Sequence, residues 1–173
     1  MAETEPDADY SPNAIHLVRT VQQGHLQLSA MADQKASILM GATFVIFTIT
    51  IGQARGGNAP VPLLILGASA FFAAVFAVLA IIPAIRYRGL GTDNLLFFGA
   101  FTQLDEAEFI RRLSASLHSD EDIYAAMLRD LYQNGTVLQR KKYRLLGYAY
   151  RIFLAGLTAS FLAFLVEFVG ARF

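Results

Sequence analysis

The stretch that decides the fold is Pro60–Ile85, PVPLLILGASAFFAAVFAVLAIIPAI, which contains no charged side chain over 26 residues. At about 1.5 Å per residue, a helix of this length crosses roughly 30 Å of hydrocarbon with some tilt. Inside lipid the backbone must satisfy its own hydrogen bonds, so only helices and closed barrels span a bilayer. Because no ten-residue segment alternates as barrel strands do, the stretch predicts a transmembrane helix.

The composition excludes several classes of function. The chain has 173 residues, 55% of them apolar, and its 14 basic residues balance 14 acidic ones, so nothing indicates nucleic-acid binding. It has no cysteine, and its three histidines are too scattered to form a metal site. No paired nucleophile and base and no glycine-rich phosphate loop can be assembled. We therefore expect a protein that is not an enzyme and holds neither a metal nor a cofactor.

Two further apolar runs predict two more spans. Residues 36–54 are free of charge and follow an amphipathic helix over residues 11–35, whose start is indicated by Ser11 and Pro12. Residues 152–169 predict the third span. Residues 1–10 are acidic and predict a disordered tail. The predicted fold class is an all-α membrane protein with three transmembrane helices, at residues 36–54, 60–85 and 152–169.

The segment over residues 86–151 is charged and has helical patterning. Thr102 with Asp105, and Ser119 with Asp122, are typical of helix starts, and the second helix is expected to run on into the third span. Eight basic residues flank the spans on the side of this segment, against two on the side of the turn at residues 55–59 and the C-terminal residues 170–173. The positive-inside rule then predicts that the N-terminus and this segment lie in the cytoplasm and that the C-terminus lies on the opposite side of the membrane.

Small residues form a seam along the second span, repeating every three or four positions: Ala70, Ala73, Ala77, Ala80 and Ala84. Such seams let helices approach closely in lipid, within one protomer or between protomers, although alanine is also simply common in membrane helices. We expect a homo-oligomer with this seam as its assembly face. Asp33 and Lys35 flank the entrance to the first span and are interpreted as interfacial charges, with a gating or ligand-binding pair as the alternative.

Four blocks carry a resemblance to a known family: ADQKASIL at residues 32–39, NLLFFG at 94–99, LRDLY at 128–132 and KYRLL at 142–146. Together they resemble the transmembrane effectors of Pycsar anti-phage systems, over roughly residues 13–168. The resemblance implies an effector that responds to cyclic CMP or cyclic UMP, made by a neighbouring pyrimidine cyclase during phage infection. It further implies that the response is inner-membrane impairment and cell death, with the nucleotide as activating ligand.

The resemblance supplies no nucleotide contacts, so candidates come from the chemistry of the ligand. A cyclic pyrimidine nucleotide needs a cation for its phosphate, an aromatic face for its base and an amide or carboxylate for specificity. The predicted segment offers Arg129, Arg140 and Lys141 as cations, Phe97, Phe98 and Tyr132 as aromatic faces, and Asn94 and Asp130 as polar groups.

Other interpretations stay open at this point. Ordinary helix packing would explain the two phenylalanines, and anionic lipid headgroups would suit the basic cluster RKKYR at residues 140–144. The alternative function is a constitutive membrane scaffold, or accessory subunit, that docks a protein partner without a nucleotide. A ligand-independent channel lined by threonines of the first span, Thr43, Thr48 and Thr50, is a third possibility.

Overall fold

The computed structural model describes residues 10–57, 59–82 and 94–171. It confirms the predicted fold class, with 85% helix, no strand among the described residues and three helices long and apolar enough to cross a membrane. The helices are α1 (Ala14–Arg55), α2 (Val61–Ile81), α3 (Phe98–Phe101), α4 (Glu106–Ala115), α5 (Asp120–Val137), a π-helix (Leu138–Tyr143) and α6 (Arg144–Gly170). The predicted acidic tail up to residue 9, the end of the predicted second span and Ala84 lie outside the described residues.

The chain divides into two units of different character. The polar unit comprises, of the described residues, 10–28 and 94–138. The apolar unit comprises residues 29–57, 59–82 and 139–171. Helix α1 contributes to both units, and α5, the π-helix and α6 follow one another without a break from Asp120 to Gly170.

Helix starts in the polar unit follow from local capping. The Ser119 hydroxyl accepts a hydrogen bond from the Asp122 backbone N–H at 3.1 Å, so the predicted start of α5 is confirmed. The predicted helix start at Thr102 is wrong, because Thr102 ends α3 and the Asp105 carboxylate caps α4 by accepting from Glu108 N–H at 2.9 Å. Hydrogen bonds from Arg112 and Arg111 hold the pKa of Glu108 below its usual value.

Within the polar unit, α5 contacts both α1 and Tyr10, which precedes α1. The rings of Tyr10 and Tyr124 lie 4.5 Å apart between centroids. Further along the helix, a methyl group added at Gly135 would lie 3.0 Å from Cε1 of His25. The histidine therefore packs against a residue with no side chain.

Small residues hold the apolar unit together. Ala77 and Ala80 of α2 are buried in one cluster with Ala32 and Ala36 of α1 and Ala149 of α6. Because alanine has no side chain beyond Cβ, the three helix backbones come close, as in other small-residue interfaces in lipid. The described members of the alanine seam are thus covered within one protomer, which is the first of the two packing arrangements that the sequence left open.

Two glycines mark the closest helix approaches in the apolar unit. A methyl group at Gly156 of α6 would overlap the side chain of Ser69 on α2, and one at Gly67 would lie 2.6 Å from Oγ1 of Thr50 on α1. One turn after Gly156, the buried Ser160 hydroxyl donates to the Pro62 carbonyl oxygen at 2.7 Å. These contacts fix the register of α6 along α2.

The outward faces of the apolar unit are hydrophobic. On α6 they include the exposed side chains of Leu154, Phe161, Leu162 and Val166, and α1 and α2 expose similar rows. In water such a surface would be strongly unfavourable, whereas in hydrocarbon it is the expected exterior. The structure thus describes a membrane protein.

Candidate functional site

Asn94 joins the two sequence blocks in which the ligand candidates of the polar unit lie. Its Nδ2 donates to Oδ1 of Asp130 at 3.1 Å and to Oε1 of Gln133 at 2.7 Å. Its Oδ1 accepts from the backbone N–H groups of Leu96 at 3.0 Å and Phe97 at 3.2 Å. The segment that leads into α3 is therefore fastened to α5 by one side chain.

The hydrogen bonds of this network engage Asn94 and Asp130, the two polar residues that were candidates for base specificity. Both N–H groups and both acceptor positions of the Asn94 amide are engaged, and the side chain is only 2% exposed. Asp130 is 5% exposed, and its second oxygen accepts from Asn134 Nδ2 at 2.8 Å. Asn94 therefore anchors the fold and has no free hydrogen-bonding group for a base, and Asp130 is a buried partner in the same network.

A cavity of about 170 Å³ lies beside this network. One side is a face of α5 formed by Asp122 and by Ala125, Ala126 and Arg129, which follow Asp122 by three, four and seven residues. Arg129 is exposed and, within the part of the chain that the structure describes, makes no ion pair. It is the predicted cation that the structure places at a cavity. Asp122 and the two alanines were not among the predicted site residues.

The three aromatic candidates, Phe97, Phe98 and Tyr132, are not among the residues that line this cavity. Phe97 is half-buried and stays within 5.1 Å of the Phe98 ring, between centroids, as expected of ordinary packing. Tyr132 is 74% exposed. None of the described residues that line the cavity is aromatic. A base in the cavity would contact aliphatic side chains.

The remaining cations, Arg140 and Lys141, belong to the apolar unit and so do not share a unit with Arg129. Lys141 Nζ donates to the Ile82 carbonyl oxygen at 2.8 Å, which satisfies a free carbonyl at the end of α2. Arg140 is exposed. The structure gives Lys141 a structural partner and Arg140 none among the described residues.

Asp33 pairs with Lys142, a member of the basic cluster that was not among the predicted ligand-binding residues. Lys142 Nζ donates to both carboxylate oxygens of Asp33 at 2.8 Å and to the Ser29 hydroxyl at 2.7 Å. Lys35 is exposed, and its backbone carbonyl accepts from the Tyr150 hydroxyl at 3.1 Å, while its side chain has no ion pair among the described residues. A lone carboxylate beside an apolar run requires a counter-charge, and that was the available signal for Lys142.

These features define a helical membrane protein with three apolar helices and a polar helical unit that carries a cavity. Over residues 16–168 the chain matches the family model described as the Pycsar effector protein domain. The chain belongs to this family, and the resemblance drawn from its sequence is confirmed. The family is one of membrane effectors and is not a known enzyme family. No curated protein and no solved structure gave a significant match.

Proposed function

We propose that this protein is an antiviral effector that responds to cyclic CMP or cyclic UMP by impairing the bacterial inner membrane, so that the infected cell dies before the phage spreads. The observation that carries the proposal is the family match over nearly the whole chain, joined to three apolar helices whose outer faces suit lipid. In this proposal the protein acts without catalysis. Its functional partners are the bilayer, a pyrimidine cyclase that supplies the nucleotide, and further copies of the chain.

The polar unit is the proposed sensor. It holds Arg129 at a cavity. Because α5 continues through the π-helix into α6, the helix that lines the cavity is continuous with the third apolar helix. To move a two-state equilibrium from 1:99 to 99:1, the nucleotide must bind the active arrangement more tightly by about 5.5 kcal/mol. Several protomers acting together would share that requirement.

The proposed topology places the N-terminus and the polar unit in the cytoplasm and the C-terminus in the periplasm. Since the chain has no cysteine, single cysteines at Asn58 and His118 report each side directly. In intact cells, after the outer membrane is permeabilised, an impermeant thiol reagent is expected to label position 58 and leave position 118 unlabelled until the inner membrane is opened. Labelling at position 118 in intact cells would overturn the orientation.

The activity is tested with purified protein in dye-loaded liposomes. Cyclic CMP, cyclic UMP, cyclic AMP and buffer are added separately, with protein-free liposomes as the control. We expect leakage with a cyclic pyrimidine nucleotide only. Leakage that is equal in all four conditions rejects the sensor and favours an unregulated channel. If nucleotide neither binds nor causes leakage, the constitutive scaffold is the better description.

A further inference from the structure

We propose that the cavity beside α5 receives the pyrimidine base, with Arg129 holding the phosphate at one end and Asp122 reading the amino group of cytosine at the other. The inference rests on the proposed function and deepens it, because it names the pocket and the preferred nucleotide, cyclic CMP.

The geometry of α5 supports two separate recognition points. Asp122 and Arg129 are seven residues apart and therefore share one face of the helix, about 10 Å apart along its axis. Ala125 and Ala126 lie between them and leave the space that longer side chains would fill. The face thus has a carboxylate at one end, a guanidinium at the other and a shallow apolar floor between.

The size of the cavity selects what enters it. Pockets that enclose a whole drug-sized ligand measure roughly 300 to 1,000 Å³, whereas this one measures about 170 Å³. It suits a flat six-membered ring, while the ribose and phosphate stay at the mouth. Leu96 and Leu113 line the cavity together with the alanines, so the faces of the ring would meet aliphatic side chains.

Arg129 and Asp122 differ in the ligand groups that they can bind. Within the described chain Arg129 makes no ion pair, so its guanidinium is available to a phosphate, which it recognises in a bidentate manner. One oxygen of Asp122 accepts from the Ser119 hydroxyl at 2.8 Å, and its other oxygen has no hydrogen bond within the described residues. A carboxylate only accepts, and so pairs with the amino group that cytosine carries at ring position 4. Uracil has a carbonyl oxygen there, which a carboxylate repels.

The part of the cavity lining that precedes α3 is held against α5 before any ligand arrives. Asn94 lines the cavity and is fixed by its bonds to Asp130 and Gln133. Little ordering is then needed on binding, which favours affinity from a small contact area.

Calorimetric titration of the full-length protein in nanodiscs with cyclic CMP and cyclic UMP tests the pocket. We expect the wild type to bind cyclic CMP more tightly than cyclic UMP. Arg129→Gln and Ala126→Leu should each weaken binding by about tenfold or more, through loss of a charged hydrogen bond and through filling of the cavity. Asp122→Asn, whose amide can donate to a carbonyl, should shift the preference toward cyclic UMP.

Matched controls separate the pocket from general effects of charge and size. Arg19→Gln removes an exposed arginine of the same unit, and Ala107→Leu adds the same volume on an exposed face of α4, so both should bind as the wild type does. Circular dichroism checks that every variant keeps its helix content.

Absence of binding to the wild type overturns the proposed function itself. Wild-type binding that Arg129→Gln and Ala126→Leu leave unchanged overturns the pocket alone, and a wild-type preference for cyclic UMP overturns the role of Asp122.

Discussion

Replacing Lys142 by methionine tests whether the π-helix fastens α6 to α1 in the apolar unit. The substitution keeps the length and the apolar stem of the side chain but removes its three hydrogen bonds, two to Asp33 and one to Ser29. We expect the resting fold to lose stability, because Asp33 then has no counter-charge beside the apolar run.

The magnitude follows from how far the pair is buried. The side chain of Lys142 is 21% exposed and that of Asp33 is 43% exposed. A fully exposed ion pair contributes about 0 to 1 kcal/mol, whereas breaking a buried one costs about 3 to 5 kcal/mol. This pair lies between the two cases, and water can still reach the orphaned carboxylate. We therefore expect a loss of about 1.5 kcal/mol, which for a chain of this size lowers the melting temperature by about 3 to 6 °C.

A double-mutant cycle isolates the pair from side effects of each substitution. Lys142→Met, Asp33→Asn and the double variant are melted in the same detergent, followed by circular dichroism at 222 nm. A direct interaction should appear as a coupling free energy of about 1 kcal/mol, with the double variant little worse than Lys142→Met. Arg140→Met is the matched control, because Arg140 is a neighbouring exposed cation in the same π-helix, and it should change stability by less than about 0.5 kcal/mol. Additivity of the two single changes within about 0.3 kcal/mol would refute the argument.

Two further predictions concern the packing of each unit. Gly156→Leu should destabilise the apolar unit by about 3 kcal/mol, because the new side chain meets Ser69, while Ala155→Leu on the exposed face should be nearly neutral; equal melting temperatures for the two variants would contradict the close helix approach. Asn94→Ala should cost about 2 to 4 kcal/mol, since it removes four hydrogen bonds and leaves buried Asp130 short of a donor, and the polar unit should lose amide hydrogen-exchange protection; unchanged protection there would count against the anchoring role.

The sequence predicts the features that depend on local pattern. Charge-free runs of sufficient length predict membrane helices, because the need to satisfy the backbone in lipid acts on each segment separately. The helix cap at Ser119 could likewise be predicted, since its hydrogen-bond partner is three residues away. The helix start was wrongly predicted at Thr102 because Thr102 fits the same pattern as the true cap, Asp105. The short helix α3, which Thr102 caps at its C-terminus, cannot be seen from composition.

The features that escaped prediction depend on residues far apart in the chain. Asp33 and Lys142 meet across 109 positions, and no periodicity links them. In the basic cluster, consecutive lysines bind different helices: Lys141 binds at the end of α2, and Lys142 binds Asp33 on α1. Interpreting the cluster as one lipid-binding patch could not predict these two separate partners. Asn94 and Asp130 come from two blocks that the ligand prediction required to meet; the structure joins them by one hydrogen bond, and their further bonds to other residues are visible only in three dimensions.

The covered alanine seam limits how copies of the chain can assemble. Using the seam would require α6 to leave α2, which breaks the Ser160 hydrogen bond to Pro62 and opens the contact of Gly156 with Ser69. A nucleotide can shift an equilibrium only by its difference in affinity for the two states, so a rearrangement that dismantles this interface would consume much of that difference. Assembly through the exposed outer face of α6 leaves those contacts intact, and its row of large apolar side chains already faces outward. For the proposed homo-oligomer we therefore expect an interface on α6, with the contact between α2 and α6 unchanged on activation.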